Sequence, residues 1–131
     1  MYWLLLGSWI ALIYFFGSAY FGRNQTQNWI DRLVRHPRLC AWLNAQHGHL
    51  RASWHYVEFS ALFFLIYFGI NGQSLAYRFF PALASWASTM VAAVADEWRQ
   101  YHTGGRQFRR IDLLHSFLGA TLALSALALL G

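Results

Sequence analysis

DEWRQYHTGGRQFRRIDLLHSFLG, residues 96–119, holds three of the chain's five acidic residues, four of its ten arginines and two of its six histidines. The segments on either side, 79–95 and 120–131, carry no charge. The stretch reads as helix end, tight turn and helix start. Thr103-Gly104-Gly105 breaks one helix, and Asp112 opens the next where a carboxylate complements the positive end of the helix dipole. Asp96 and Glu97 are predicted in the last turn of the preceding helix, where a carboxylate faces the negative end and needs a cation. Arg106, Arg109 and Arg110 are the expected cations. An acid held by guanidinium groups between two apolar helices is a structural ion pair or part of a headgroup site at a membrane boundary.

The composition around this stretch is that of a membrane protein. Of 131 residues, 57% are hydrophobic and 19% aromatic against 11% charged, more apolar surface than a soluble core of this size needs. The expected fold class is all-α: one domain over residues 1–131, an integral membrane protein with four transmembrane helices at about 2–22, 54–71, 75–97 and 111–130. Met1 to Gly22 has no charged side chain and lacks the basic n-region of a cleaved leader, so it is expected to remain as the first span. In the second, WHYVEFSALFFLIYFGIN, His55 and Glu58 share a helix face just inside the boundary. The third has Arg78 at its start, where a long side chain can snorkel, Pro81 in its opening turns and a core of small residues suited to close packing. In the fourth, Asp112, Ser116, Gly119 and Ala123 would line one face, polar at the top and small below.

Residues 23–53 are expected to hold a short interfacial amphipathic segment between helices 1 and 2. Trp29, Ile30 and Leu33 share the face of one short helix and Leu39, Trp42 and Leu43 that of another, with Pro37 between them and Arg32, Arg35 and Arg38 toward headgroups. Every basic residue is arginine and the net charge is +5, which suits bidentate contacts to phosphate or carboxylate. No nucleic-acid motif accompanies it, and no nucleic-acid partner is expected. Nine of the ten arginines fall in the connections after the first and third spans. The positive-inside rule puts those connections in the cytoplasm and both termini outside. The single cysteine, Cys40, excludes an intramolecular disulfide and reads as a small apolar residue.

Several of these residues are ordered as in a known family. Asp96-Glu97 with Gln100, Gly105-Arg106, Asp112 and Gly119 resemble the second half of the VanZ-like membrane proteins. His55-Tyr56-Val57-Glu58-Phe59-Ser60-Ala61-Leu62 resembles that family's H-F-x-E-Y-x-x-L pattern. The chain has Ser116 where the family usually has asparagine and Gly104 where it often has proline. What the resemblance implies is a small multi-pass protein of the bacterial cell (inner) membrane, associated through the family's founding member with resistance to the glycopeptide teicoplanin. It implies no settled enzymatic activity.

The candidate ligand-binding residues are His55, Glu58, Glu97, Gln100, Arg106, Asp112 and Ser116, converging where helices 2, 3 and 4 meet. Arg106 would grip the phosphate or carboxylate of an anionic or lipid-linked envelope headgroup, while the carboxylates orient the arginine and accept from ligand hydroxyls or amides. The expected partners are membrane lipids or a lipid-linked envelope precursor, with a second copy or another membrane protein as a further possibility, and no cofactor. The alternatives are an intramembrane enzyme and a structural or assembly subunit. For the enzyme, His55 with Glu58 or Glu97 with His115 would be acid and base, and Ser60 or Ser116 the nucleophile, but no activated nucleophile or oxyanion hole is marked. His47, His49, His55 and Glu58 have metal-ligand chemistry at loose spacing, and solvated loop histidines are the expected reading of the first two.

Overall fold

The structure, a computed structural model, describes residues 2–18, 23–72, 74, 76–103 and 110–131, with the side chains of all but 23, 24, 51, 52 and 103. The described residues form five α-helices and no strand: α1 Tyr2–Phe16, α2 Arg23–Leu33, α3 Pro37–Ile70, α4 Phe79–Thr103 and α5 Arg110–Leu130. Three stretches are long and apolar enough to cross a membrane: Ser53–Ile70, Phe79–His102 and Arg110–Leu130. The apolar α1, at 15 residues, spans about 22 Å at 1.5 Å per residue, short of a hydrocarbon core of about 30 Å. The structure thus has three helices of spanning length where the sequence predicts four. The end of the first predicted span, 19–22, lies outside the described residues.

The predicted second interfacial helix and second span are one helix. Pro37 sits in the first turn of α3, where its missing N–H costs nothing, and the ring of His36 caps that turn by accepting from the Leu39 amide at 3.4 Å. Before its last turn the only glycine in α3 is Gly48, which costs about 1 kcal/mol and does not stop a helix. The 34 residues of α3 therefore reach about 51 Å, and α2 folds back along its polar first half. The third predicted span moves as well. Its helix begins at Phe79 and ends at Thr103, so Asp96 and Glu97 sit well before the last turn rather than in it.

All four other helices pack on α3, most extensively α5. The pairing of α3 with α5 is parallel: Ser60 donates to the Gly119 carbonyl at 2.8 Å, and Phe63 and Tyr67 further along meet Ala123 and Leu127. α1 is antiparallel to α3. Tyr2 lies against Gly69, the indole of Trp9 donates to the Glu58 carbonyl at 3.0 Å, and the rings of Phe16 and Trp54 meet edge to face at 5.4 Å. The buried hydroxyls of α4 are satisfied on their own helix, Ser85 on the Pro81 carbonyl at 2.7 Å and Thr89 on that of Ser85 at 2.8 Å, as an apolar surrounding requires. The outer surface is strongly apolar, with Leu5, Phe15, Phe80, Val91, Leu122 and Leu129 all exposed. This arrangement brings the C-terminal ends of α1 and α4, the start of α5 and the middle of α3 to one end of the bundle.

The opposite end is closed by Tyr67 and Asn71. The Asn71 amide donates to the Tyr67 hydroxyl at 2.9 Å and to the carbonyls of Ser74 and Ala76 at 3.1 and 2.9 Å. The same hydroxyl accepts the Arg78 N–H at 3.1 Å and donates to the Ala76 carbonyl. Gly72, at φ 63°, takes the left-handed conformation that makes this turn possible.

Candidate functional site

Polar side chains gather at the first of these two ends. Along α4 one face runs Ala82, Ser85, Thr89, Ala93, Glu97 and Gln100, all buried, a helical stripe that becomes more polar toward the C-terminus. On α5 the predicted face is the buried one: Asp112, Ser116, Gly119 and Ala123, joined by Ala120 and Leu127. On α3, His55 and Glu58 are both buried, Glu58 only 4% exposed. Ionisable groups this deep in an apolar helix bundle need partners from neighbouring helices.

The partners form two groups, one between α3 and α5 and one between α4 and α1. One Glu58 carboxylate oxygen accepts from the indole of Trp54 at 2.6 Å, and the other lies 3.6 Å from Nδ1 of His55. The far nitrogen of His55 stands 4.0 Å from the Asp112 carboxylate, so the imidazole bridges an acid on α3 and an acid on α5 while stacking over Phe59 at 6.2 Å. On α4, Asp96 accepts from Arg99 at 2.7 Å and from the Gln100 amide at 2.5 Å. Arg99 then reaches α1, donating to the Tyr14 carbonyl at 3.1 Å with its guanidinium 3.9 Å over the Tyr14 ring. The cation that balances Asp96 is therefore Arg99, one turn away on the same helix. Arg110, one of the expected cations, is exposed at the start of α5; Arg106 and Arg109 lie outside the described residues.

Between these groups is a cleft of about 180 Å³, lined in part by Thr26, His47, Trp54, His55, Glu58, Asp96 and Gln100. It brings together three of the predicted ligand-binding residues, His55, Glu58 and Gln100. Asp112 stands behind His55 as its second carboxylate, and Glu97 is buried on the packed face of α4. Ser116 does not face the cleft; its hydroxyl donates to the Asp112 carbonyl at 3.0 Å. The nucleophiles considered for an enzyme are both engaged in this way, Ser116 on its own helix and Ser60 on the Gly119 carbonyl. His115 packs against the Tyr56 ring at 5.1 Å.

Sequence reasoning missed one wall of the cleft. His47, expected in a solvated loop, is a buried residue of α3 whose Nε2 lies 2.5 Å from the Thr26 hydroxyl of α2, while His49 is exposed. The signal was available in the spacing: His47, Trp54, His55 and Glu58 recur at helical intervals once α3 is read as continuous. Among the described residues no three His, Cys, Asp or Glu side chains come together as a metal-binding group. Comparison with protein-family models, with curated proteins and with solved structures finds no match to this chain.

Proposed function

We propose that this is a small multi-pass membrane protein whose polar cleft receives the headgroup of a membrane lipid or a lipid-linked envelope precursor. The observation that carries this reading is a cleft with buried Glu58, His55 and Gln100 on its walls, at the end of the bundle where α1 and α4 terminate. Groups of this kind are costly in an apolar bundle and are kept where they act on something. Arg106, by its place in the sequence, is assigned to the headgroup's anionic part. The VanZ-like resemblance is proposed to reflect kinship. Any link to teicoplanin resistance then acts through envelope lipid, because a glycopeptide is far too large for a cleft of about 180 Å³.

The proposal includes α1 as a fourth span in the bacterial cell membrane, with the arginine-rich segments cytoplasmic. Its support is that α1 lies beside the apolar part of α3 from Gly69 to Trp54, the same depth that Ser53–Ile70 covers, with Trp3, Leu5 and Ile10 exposed. Native mass spectrometry of the detergent-purified protein tests the headgroup reading. Parent protein should retain one lipid class selectively, and Gln100→Ala and Arg106→Ala should each lose it while remaining folded. Identical lipid profiles from all three folded proteins would transfer the weight to an assembly role.

A further inference from the structure

With Ser53–Ile70 across the bilayer, the α2–α3 hairpin stands out from the membrane rather than lying on it. α3 is one continuous helix from Pro37 to Ile70, and its spanning stretch begins at Ser53. Trp42 and Leu39 lie about 16 and 21 Å further out along the same axis, at 1.5 Å per residue. The interfacial layer beside the hydrocarbon core is only about 5–8 Å deep, and a helix tilt of about 40° still leaves Trp42 about 12 Å from the level of Ser53. Yet the hairpin tip is apolar as well as basic. Arg32, Arg35 and Arg38 are exposed there, and so are Leu33 at 80%, Leu39 at 48% and Trp42 at 55%. Lipid covers exposed apolar side chains on α4 and α5, but it does not reach these, and a cluster of exposed apolar and arginine side chains in water marks a protein contact.

We propose that the tip of this hairpin docks an acidic, amphipathic segment of another protein, on the side of the membrane where α1 and α4 end. This inference goes beyond the headgroup reading and does not depend on it. Charge selects the occupant. A second copy of the chain has no acidic face to offer among the described residues: of the five acidic residues, Glu58, Glu97 and Asp112 are buried, Asp96 is paired with Arg99 at 2.7 Å, and Asp31 accepts from Asn44 and Cys40 within the hairpin. A second hairpin tip would only oppose arginines with arginines. Nucleic acid would engage the guanidinium groups and the indole, but its phosphates and bases give Leu33 and Leu39 little to pack against. An acidic segment with a row of apolar side chains meets both needs. Its carboxylates take charge-assisted hydrogen bonds from Arg32, Arg35 and Arg38, and its apolar row covers Leu33, Leu39 and Trp42.

The test places a photo-crosslinking side chain at position 33 or 42 of the full chain in its native host, with position 91 as the lipid-facing control, since Val91 is 69% exposed on α4. Adducts are isolated and their crosslinked peptides sequenced. The expected result is one protein adduct shared by positions 33 and 42 and absent at 91, whose crosslinked segment is acidic with apolar residues at helical spacing. That segment, as a synthetic peptide, is then titrated against purified protein in phosphatidylcholine nanodiscs. Combining Arg32→Gln, Arg35→Gln and Arg38→Gln should weaken binding about tenfold, the joint scale of three exposed ion pairs, and parent binding should weaken as salt rises. Leu33→Ser, at a position too exposed to matter for folding, should weaken it as well, and thermal unfolding checks that every variant is folded. Adducts with lipid alone would overturn the proposal and lay the hairpin on the membrane. Adducts with RNA or with a second copy would overturn the acidic partner and identify the true occupant. No adduct at either position, a basic partner segment, or an affinity indifferent to the three arginines would each overturn it too, and none of these outcomes bears on lipid retention in the cleft.

Discussion

A methyl group built on Gly119 would sit 2.8 Å from the Tyr56 carbonyl oxygen and 3.0 Å from its Cα, so the closest approach of α5 to α3 depends on the absence of a side chain there. Backbone cannot step aside as a side chain can. Gly119→Ala should therefore push the two helices apart and cost about 1–3 kcal/mol, the usual range for overpacking, read as lower thermal stability in detergent. Gly17 offers a contrast, because the atoms nearest a methyl there are the side-chain ends of Arg99, Asp96 and Gln100 rather than backbone. Gly17→Ala should lose less stability than Gly119→Ala and yet disturb lipid retention, since it displaces residues at the cleft. Equal destabilisation by both would mean that the Arg99 cluster is as rigid as backbone. At this scale the sequence was legible where partners are close along the chain. The spacing of Asp112, Ser116, Gly119 and Ala123 marks the buried face of α5, and His55 with Glu58 three residues on marks the polar face of α3. It was silent on Trp9 with Glu58 and on Arg99 with Tyr14, pairs 49 and 85 residues apart whose meeting depends on how the helices are arranged.

The element that departs most from expectation is the α2–α3 hairpin. The arginines, Pro37 and the short apolar faces read as two short interfacial helices ahead of a separate span, and the weakness of Gly48 as a breaker explains why α3 continues into that span. What holds α2 in place is largely polar. Asn44 donates to Asp31 at 2.7 Å and the Cys40 thiol to the same oxygen at 3.2 Å, with Thr26 and His47 as the other tie. Those two donors hold the Asp31 carboxyl below the ordinary carboxylate range, the Asn44 contribution being the larger. A carboxyl whose folded pKa is lowered stabilises the folded form above its unfolded pKa, and the stabilisation fades as pH falls through the folded value. Amide exchange along α2, corrected for intrinsic rates, should accelerate below about pH 4 in the parent and show no such step in Asp31→Asn. The reciprocal effect falls on Cys40, whose thiol is pushed up chiefly by its hydrogen bond to the carboxylate. Alkylation of Cys40 at pH 8 should be faster in Asp31→Asn than in the parent; an unchanged rate would mean that the Asp31 contact does not form in solution.

Across the whole molecule, burial decides orientation and the number of crossings decides where the termini lie. Among the described residues three helices have the length and apolarity to span, and the polar cleft lies between the ends of α1 and α4, α2 and the middle of α3, so α1 and α4 end on the same side. The arginine-rich stretches 23–53 and 98–110 carry nine of the ten arginines, and by the positive-inside rule they are proposed above to be cytoplasmic. The parity of the bundle then depends on α1. At about 22 Å it must thin the bilayer, or be completed by residues beyond Phe16, to cross, and mismatch of this size costs only fractions of a kcal/mol per Å. Its pairing with α3 extends from Tyr2 at Gly69 to Phe16 at Trp54, so any membrane that covers Ser53–Ile70 covers α1 as well. Reporter fusions ahead of Tyr2 and after Gly131 should both read out as extracytoplasmic, while a fusion in the α2–α3 hairpin, after Val34, should read as cytoplasmic. If the fusion ahead of Tyr2 instead shared the cytoplasmic side with Val34, α1 would not cross, and the cleft wall that it contributes through Phe16 and Gly17 would have to form at the membrane surface. The proposed headgroup would in that case enter the cleft from the aqueous side rather than from within the leaflet.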